Sequence, residues 1–144
     1  ALRYFNVYGP RQDPTSQYAA VVPNFITAAA RGEAPKIYGD GEQSRDFTFV
    51  ADAVQANMKA ACSPEVDGVV VNVAAGERTT INDLAAIVVR LVGTEVEAEY
   101  LEPRTGDIRH SLADISRARK FMGYNPQYNL EQGLSETVPY FDTP

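Results

Sequence analysis

Cysteine and histidine are nearly missing from this chain: Cys62 and His110 are the single representatives of their kinds. One cysteine cannot form an intramolecular disulfide, and one residue of each type cannot supply the clustered thiolate or imidazole ligands of a zinc site. No run of eighteen or more apolar residues occurs, so no transmembrane helix is expected. No charged-then-apolar leader opens the sequence and the lone thiol suits a reducing compartment, which makes a cytoplasmic protein the expectation. Positive charge is also in deficit. Thirteen Lys and Arg stand against nineteen Asp and Glu, a formal net charge of −6, and this balance opposes non-specific attraction to nucleic acid or to an anionic membrane surface.

What is present is a chain of 144 residues, 44% hydrophobic and 22% charged. That suffices for one globular unit which buries roughly 68–70% of its unfolded surface without a metal or disulfide. Ala1 to Val7 is β-rich, starts without a polar lead-in, and reads as a strand cut from a larger sheet. Pro10 to Gln17 is a polar loop. From Tyr18 to Arg31, Val21, Val22, Phe25, Ile26, Ala29 and Ala30 recur at helical spacing, with Pro23 tolerated in the first turn and Gly32 as the stop. Lys36-Ile37-Tyr38 is a short strand before the Gly39-Asp40-Gly41 turn, and Phe47 to Val50 has β-type side chains. Asp52 is placed to cap a helix running through Cys62.

Val69 to Val73 is a β-branched run of the kind buried on both faces. Thr80 and Asp83 mark a helix start, and Ile81, Leu84, Ala85, Val88, Leu91 and Val92 form one apolar stripe up to Gly93. Val96 to Leu101 is a further strand, Ser116 to Met122 a helix closed by Gly123, and Leu130 to Tyr140 a last helix. Strands and helices alternate with no repeat or linker, which gives a single α/β unit.

Nucleophile chemistry finds little support, because His110 and Ser111 adjoin in a loop and no Gly-x-Ser-x-Gly elbow exists. Anion binding finds more. Arg45 follows the Gly39-Asp40-Gly41 turn, and Arg104 stands just before Gly106-Asp107, so two guanidinium groups sit beside glycine loops in an acidic chain. Arginine's planar fork pairs with phosphate oxygens through two parallel hydrogen bonds, and two forks can clamp a diphosphate. The competing reading pairs Arg45 with Asp46 or Glu42, and Arg104 with Asp107 or Glu102, as solvated surface ion pairs. Tyr38 and Phe25 are either walls for a base ring or core residues.

Four segments taken together carry a resemblance. Leu2-Arg3-Tyr4-Phe5-Asn6-Val7-Tyr8-Gly9-Pro10-Arg11, Tyr38-Gly39-Asp40-Gly41 running into Ser44-Arg45-Asp46-Phe47, Val71-Asn72-Val73, and Gly106-Asp107-Ile108-Arg109-His110-Ser111 resemble the C-terminal half of the extended short-chain dehydrogenase/reductase family. Within it they most resemble the nucleotide-sugar 4-epimerases.

The resemblance implies that residues 1–10 end a Rossmann-type dinucleotide-binding sheet and residues 11–144 are mainly a small α/β lobe for the sugar nucleotide. It implies sugar-nucleotide contacts for Asn6, for Ala20 and Val21 through the backbone, and for Phe25 through its ring. Lys36 and Tyr38 would line the base, Arg45 and Arg104 the diphosphate, Asp107 the ribose hydroxyls, and Asn72 the pocket wall. It further implies NAD as cofactor, a UDP-hexose as substrate and a homodimeric parent enzyme. In such an enzyme a tyrosine deprotonates the sugar 4-hydroxyl as NAD takes the hydride, and the 4-keto sugar turns over before the hydride returns. A dehydratase, a decarboxylase and a non-catalytic binding relative share the same anchor. The family's Gly-x-x-Gly-x-x-Gly turn is absent here, and no tyrosine has a lysine four residues on. The expectation is a fragment that binds without turnover, with the NAD-binding turn and Tyr/Lys pair upstream of Ala1.

Overall fold

The β-rich opening of the chain is one segment in sequence and two in space. The computed structural model describes residues 1–15 and 21–141, and in it strand β1 (Leu2–Tyr4) and strand β2 (Val7–Tyr8) are separated by Asn6 at φ +37°. Positive φ is uncommon outside glycine, and asparagine is among the residues that tolerate it. The conformation is held by the Asn6 side chain donating to the Asp46 carbonyl at 2.8 Å and by the Thr48 amide donating to the Asn6 carbonyl at 3.2 Å.

Helix α1 (Val21–Ala30) carries Pro23 in its first turn, where a missing amide removes no helical hydrogen bond. Gly32, at φ +70°, follows it as expected. The part of the expected helix from Tyr18 to Ala20 lies outside the described residues. Strands β3 (Lys36–Tyr38), β4 (Ser44–Arg45) and β5 (Thr48–Phe49) come next, and helix α2 (Val50–Cys62) begins directly after β5. Strand β6 (Val71–Val73), strand β7 (Thr79–Thr80), helix α3 (Ile81–Val92), strand β8 (Glu99–Leu101), helix α4 (Ser116–Met122) and helix α5 (Leu130–Thr137) complete the order.

Pairing is mostly parallel. β1 pairs with β6, β2 with β5 and β3 with β8 in parallel, placing Leu2 opposite Val71, Tyr8 opposite Phe49 and Tyr38 opposite Leu101. β4 and β7 pair antiparallel, Ser44 opposite Thr80 and Arg45 opposite Thr79. Parallel neighbours need long crossovers, which the intervening helices provide.

Two apolar clusters hold these pairs. In one, Val22, Phe25 and Ile26 of α1 meet Leu84 and Val88 of α3 and Leu134 of α5, with Tyr8 and Phe49 among them. In the other, Val71, Val73 and Ala74 pack against Ala118 and Met122 of α4 and against Tyr124. Each fully buried Val, Ile or Leu side chain contributes about 1.5–3 kcal/mol of transfer free energy. Helix α3 is specified at both ends: the Thr80 hydroxyl accepts from the Asp83 amide at 3.0 Å, and Gly93 closes the helix at φ +79°.

Several expectations are corrected. Asp52 does not cap α2, because the helix starts two residues earlier with Phe49 at the cap. Its buried carboxylate instead accepts the amides of Gln127 at 2.8 Å and Tyr128 at 3.2 Å, tying the approach to α5 onto α2. The strand expected over Val69–Val73 is limited to β6, in which Val71 and Val73 are buried and Asn72 is only partly so. The strand expected from Val96 is limited to β8. The last α-helix stops at Thr137 and continues as a 3₁₀ turn over Val138–Tyr140, since Pro139 has no amide for a further α-helical bond.

Candidate functional site: an arginine-lined cleft

The glycine turn after β3 is held in place from several sides. Gly39 and Gly41 both have positive φ, +84° and +75°, and a Cβ at Gly41 would fall on the Asn82 side chain. The Gly39 amide donates to the Leu101 carbonyl at 2.9 Å, and Gln43 Nε2 reaches back to the Tyr38 carbonyl at 2.8 Å. Extended chain alternates its side chains, so Gln43 and Arg45, two residues apart, project on the same side. Both line one cleft.

The second arginine arrives on a separate loop. The Asp107 amide donates to the Arg104 carbonyl at 3.2 Å, closing a tight turn through Gly106 at φ +84°. The loop is then stitched to β4: Ser44 N donates to Arg109 O at 2.8 Å, and Ser111 N donates to Ser44 O at 3.0 Å. Ser44 Oγ and His110 Nδ1 lie 2.9 Å apart. His110 is thus an exposed loop residue with a bridging role.

The outcome is a cleft of about 420 Å³ that brings together Asn6, Val21, Lys36, Tyr38, Arg45, Arg104 and Asp107, a volume within the usual range for small-molecule sites. A recess of about 360 Å³ shares Val21, Lys36, Tyr38 and Arg104 and adds Phe25. Nine of the ten residues singled out from sequence lie within the described chain, and eight of them converge here. Ala20 lies outside the described residues. Asn72 lies apart from them: it sits in β6 between two side chains that belong to the second apolar cluster, donates to the Asp114 carbonyl at 3.1 Å, and lines neither cavity.

The partners of the arginines differ from those that the surface-pair reading names. Arg45 is paired with neither Glu42 nor Asp46. Its Nη2 donates to Asp107 and its Nη1 to the Ser44 carbonyl at 2.9 Å, with 17% of the side chain exposed. Asp46 is fully buried and accepts the amides of Ala75 at 3.0 Å, Gly76 at 3.1 Å and Ala113 at 3.2 Å. Burial pushes its carboxyl above the ordinary value, and those amides offset only part of the effect. Arg104 lies with its guanidinium carbon 3.7 Å from the centre of the Tyr38 ring, a cation–π arrangement. Gln43, Ile37, Phe47 and Ile81 also line the cleft and escaped the reading of the sequence. For Gln43 the signal was available in its spacing from Arg45.

A sequence profile of the NAD dependent epimerase/dehydratase family matches residues 1–74. The chain belongs to that family. A UDP-glucose 4-epimerase of Mycolicibacterium smegmatis is 42% identical over 136 residues, covering 94% of this chain and 43% of that protein. A UDP-N-acetyl-alpha-D-glucosaminuronate decarboxylase of Bacillus cytotoxicus is 35% identical over 146 residues, covering 97% of this chain and 45% of its own. Among solved structures, the UDP-glucose 4-epimerase of Thermotoga maritima with UDP-glucose superimposes with a TM-score of 0.91 at 43% identity, over 97% of this chain and 44% of that one. The chain therefore spans less than half the length of these family members. Its mixed α/β architecture with parallel strand pairs is part of their Rossmann-type fold.

The family's dinucleotide is not matched by the residues described. Its pyrophosphate is held at a strand, glycine turn and helix N-terminus. Here the Gly39–Gly41 turn leads into β4 rather than a helix, and the N-terminus of α3 is occupied by the Thr80 and Asp83 caps. Among the described residues there is also no group of three His, Cys, Asp or Glu that could hold a metal, and no helix long and apolar enough to cross a membrane.

Proposed function

We propose that this chain is the sugar-nucleotide-binding part of an NAD-dependent nucleotide-sugar 4-epimerase acting on a UDP-hexose. The observation that carries the reading is that Arg45 and Arg104, 59 residues apart in sequence, line one cleft together with Tyr38 and Asp107. The likeness to two UDP-glucose 4-epimerases supports the choice of reaction. In this reading residues 1–10 close the dinucleotide-binding sheet, residues 11–144 form mainly the substrate lobe, and NAD and the proton-transferring Tyr/Lys pair belong to polypeptide outside this sequence. The whole protein is a cytoplasmic homodimer, and the chain alone binds without turnover.

Each residue then has a physical task. Arg45 and Arg104 neutralise the diphosphate through charge-assisted hydrogen bonds. Asp107 accepts from the ribose hydroxyls. Val21, Phe25, Lys36 and Tyr38 enclose the base, and Asn6, exposed at the break between β1 and β2, faces the sugar. Epimerisation at a ring carbon requires the hexose to present both faces in turn, so the nucleotide must be gripped tightly and the sugar loosely. Concentrating charge and aromatic surface at the nucleotide end meets that requirement, and binding energy at remote atoms also orients the reacting carbon.

The 35% identity to a decarboxylase favours a second reading in which the same anchor serves loss of carbon dioxide from a UDP-sugar acid. Incubating the whole protein with NAD and UDP-glucose or a UDP-glucuronate, followed by chromatographic separation of the sugar epimers and mass analysis, separates the two. An epimer retains the substrate mass, and a decarboxylation product is lighter. Absence of both products would overturn the enzymatic proposal in favour of a non-catalytic sugar-nucleotide-binding relative.

A further inference from the structure

Outside the cleft, the loop that carries Arg104 and Asp107 is tied to the glycine turn by a second arginine–carboxylate contact. Arg109 Nη1 and Nη2 donate to Asp40 Oδ1 and Oδ2 at 2.8 and 2.9 Å. The two side chains come from positions 69 residues apart, are 56% and 55% exposed, and line a neighbouring surface hollow rather than the arginine cleft itself. The Asp40 end is well anchored: Asp40 Oδ1 accepts the Glu42 amide at 3.0 Å, and the Asp40 carbonyl accepts Asn82 Nδ2 at 3.0 Å. Asn82 is itself fixed by Glu42 at 2.8 Å and by the Tyr100 hydroxyl at 3.1 Å. Arg109 sits two residues beyond Asp107. It therefore connects the Arg104–Asp107 loop to a network built on α3 and β8.

On the cleft side, the same loop is held by Arg104 against Tyr38 and by Asp107 on Arg45. Both contacts involve groups assigned to the ligand, so both must change partner when a nucleoside diphosphate enters. The Asp40–Arg109 contact involves none of those groups and can persist through the exchange. We infer that Asp40 and Arg109 are positioning residues, a two-pronged tie that keeps the Arg104–Asp107 loop in its binding geometry while the cleft-side contacts are exchanged for ligand. Its effect on affinity rests on the reading of the cleft as a nucleoside-diphosphate site. The tie itself does not.

A bidentate fork fixes orientation as well as distance, whereas an exposed ion pair adds little to global stability. Loss of the tie should thus leave the melting temperature in place and reduce the fraction of molecules with the loop correctly set. Apparent affinity falls by that same fraction.

The test uses Asp40→Asn, Arg109→Gln and the double variant in three measurements. Hydrogen exchange of the Asp107 and Ser111 amides, which donate to the Arg104 and Ser44 carbonyls, should without ligand be about three- to ten-fold faster in each single variant and no faster again in the double, because paired groups act as one unit. Raising salt from about 0.05 to about 0.5 M should speed that exchange in the wild type and leave the double variant unchanged, since screening weakens an exposed pair. UDP affinity should fall in each variant in proportion to the lost share of molecules with the loop correctly set. Wild-type exchange in both single variants, additive effects in the double, or an absence of salt response in the wild type would each overturn the tie. If the wild type binds no UDP, the reading of the cleft fails, and the exchange results still decide the tie.

Discussion

Arg45 and Asp107, 62 residues apart in sequence, are joined by an ion pair inside the cleft that both line. Asp107 is therefore an internal counter-ion, and in the proposed function an incoming diphosphate competes with it for the guanidinium. Asp107→Asn removes that competitor and also weakens the acceptor proposed for ribose. The expected outcome is tighter binding of inorganic pyrophosphate, by roughly five-fold for a partly exposed pair worth about 1 kcal/mol, together with weaker binding of UDP. Calorimetry with the two ligands checks it, and parallel changes in both affinities would contradict it.

The stack of Arg104 on Tyr38 leads to a second expectation. The ring face, rather than the hydroxyl, is the surface offered both to the guanidinium and to a base. Tyr38→Phe should leave UDP affinity within about two-fold, whereas Tyr38→Ala should weaken it by an amount corresponding to about 1–3 kcal/mol, the usual worth of an aromatic platform. Fluorescence or calorimetric titration separates the outcomes.

Asp46, directly after β4, links that strand to two other segments through its carboxylate. Asp46→Ala removes the shared acceptor of the buried Ala113 amide and of the part-buried Ala75 and Gly76 amides, and should lower unfolding stability by about 1–3 kcal/mol, the cost of stranding the buried donor. A pH effect follows from the raised carboxyl. A group that holds its proton more tightly when folded favours the folded state most below its unfolded value, here 3.8, and that advantage is lost as pH rises through the folded pKa. The stability difference between wild type and Asp46→Asn should therefore shift in favour of the wild type as pH falls from neutrality toward that value. Urea unfolding across the pH range checks the sign.

Gly133 supplies a stability test away from the cleft. It lies within α5, and a Cβ there would come within 2.9 Å of the Phe49 ring and closer still to the Tyr8 hydroxyl. Gly133→Ala should destabilise the chain by about 1–3 kcal/mol through overpacking despite alanine's better helix propensity. A rise in the urea midpoint would show that the core yields at that point.

The helices were largely legible in the sequence because their information is local. The Ile81–Val92 stripe, its Thr80 cap and its Gly93 stop all lie within one contiguous stretch. The short strands were less so: β4 and β7 are two residues each, and their pairing depends on a partner that neighbouring residues do not reveal. The same distinction applies to the cleft. Arg45 and Arg104 stand out as arginines beside glycine turns, but nothing local indicates that Arg45 takes Asp107 instead of its neighbour Asp46. That choice is made by the amides of Ala75, Gly76 and Ala113, which draw Asp46 into the interior from distant parts of the chain. The place of Asn72 outside both cavities has a related cause: its position on β6 follows from which face of that strand the second apolar cluster covers.

The central claim is that one diphosphate is held by both Arg45 and Arg104. Calorimetric titration of UDP and of uridine into the wild type, Arg45→Ala and Arg104→Ala tests it most directly. With charged hydrogen bonds contributing about 1.5–3 kcal/mol each, UDP should bind the wild type at least about ten-fold more tightly than uridine, and either substitution should remove most of that margin. Equal affinities for the two ligands in the wild type, or a margin that survives both substitutions, would contradict the account.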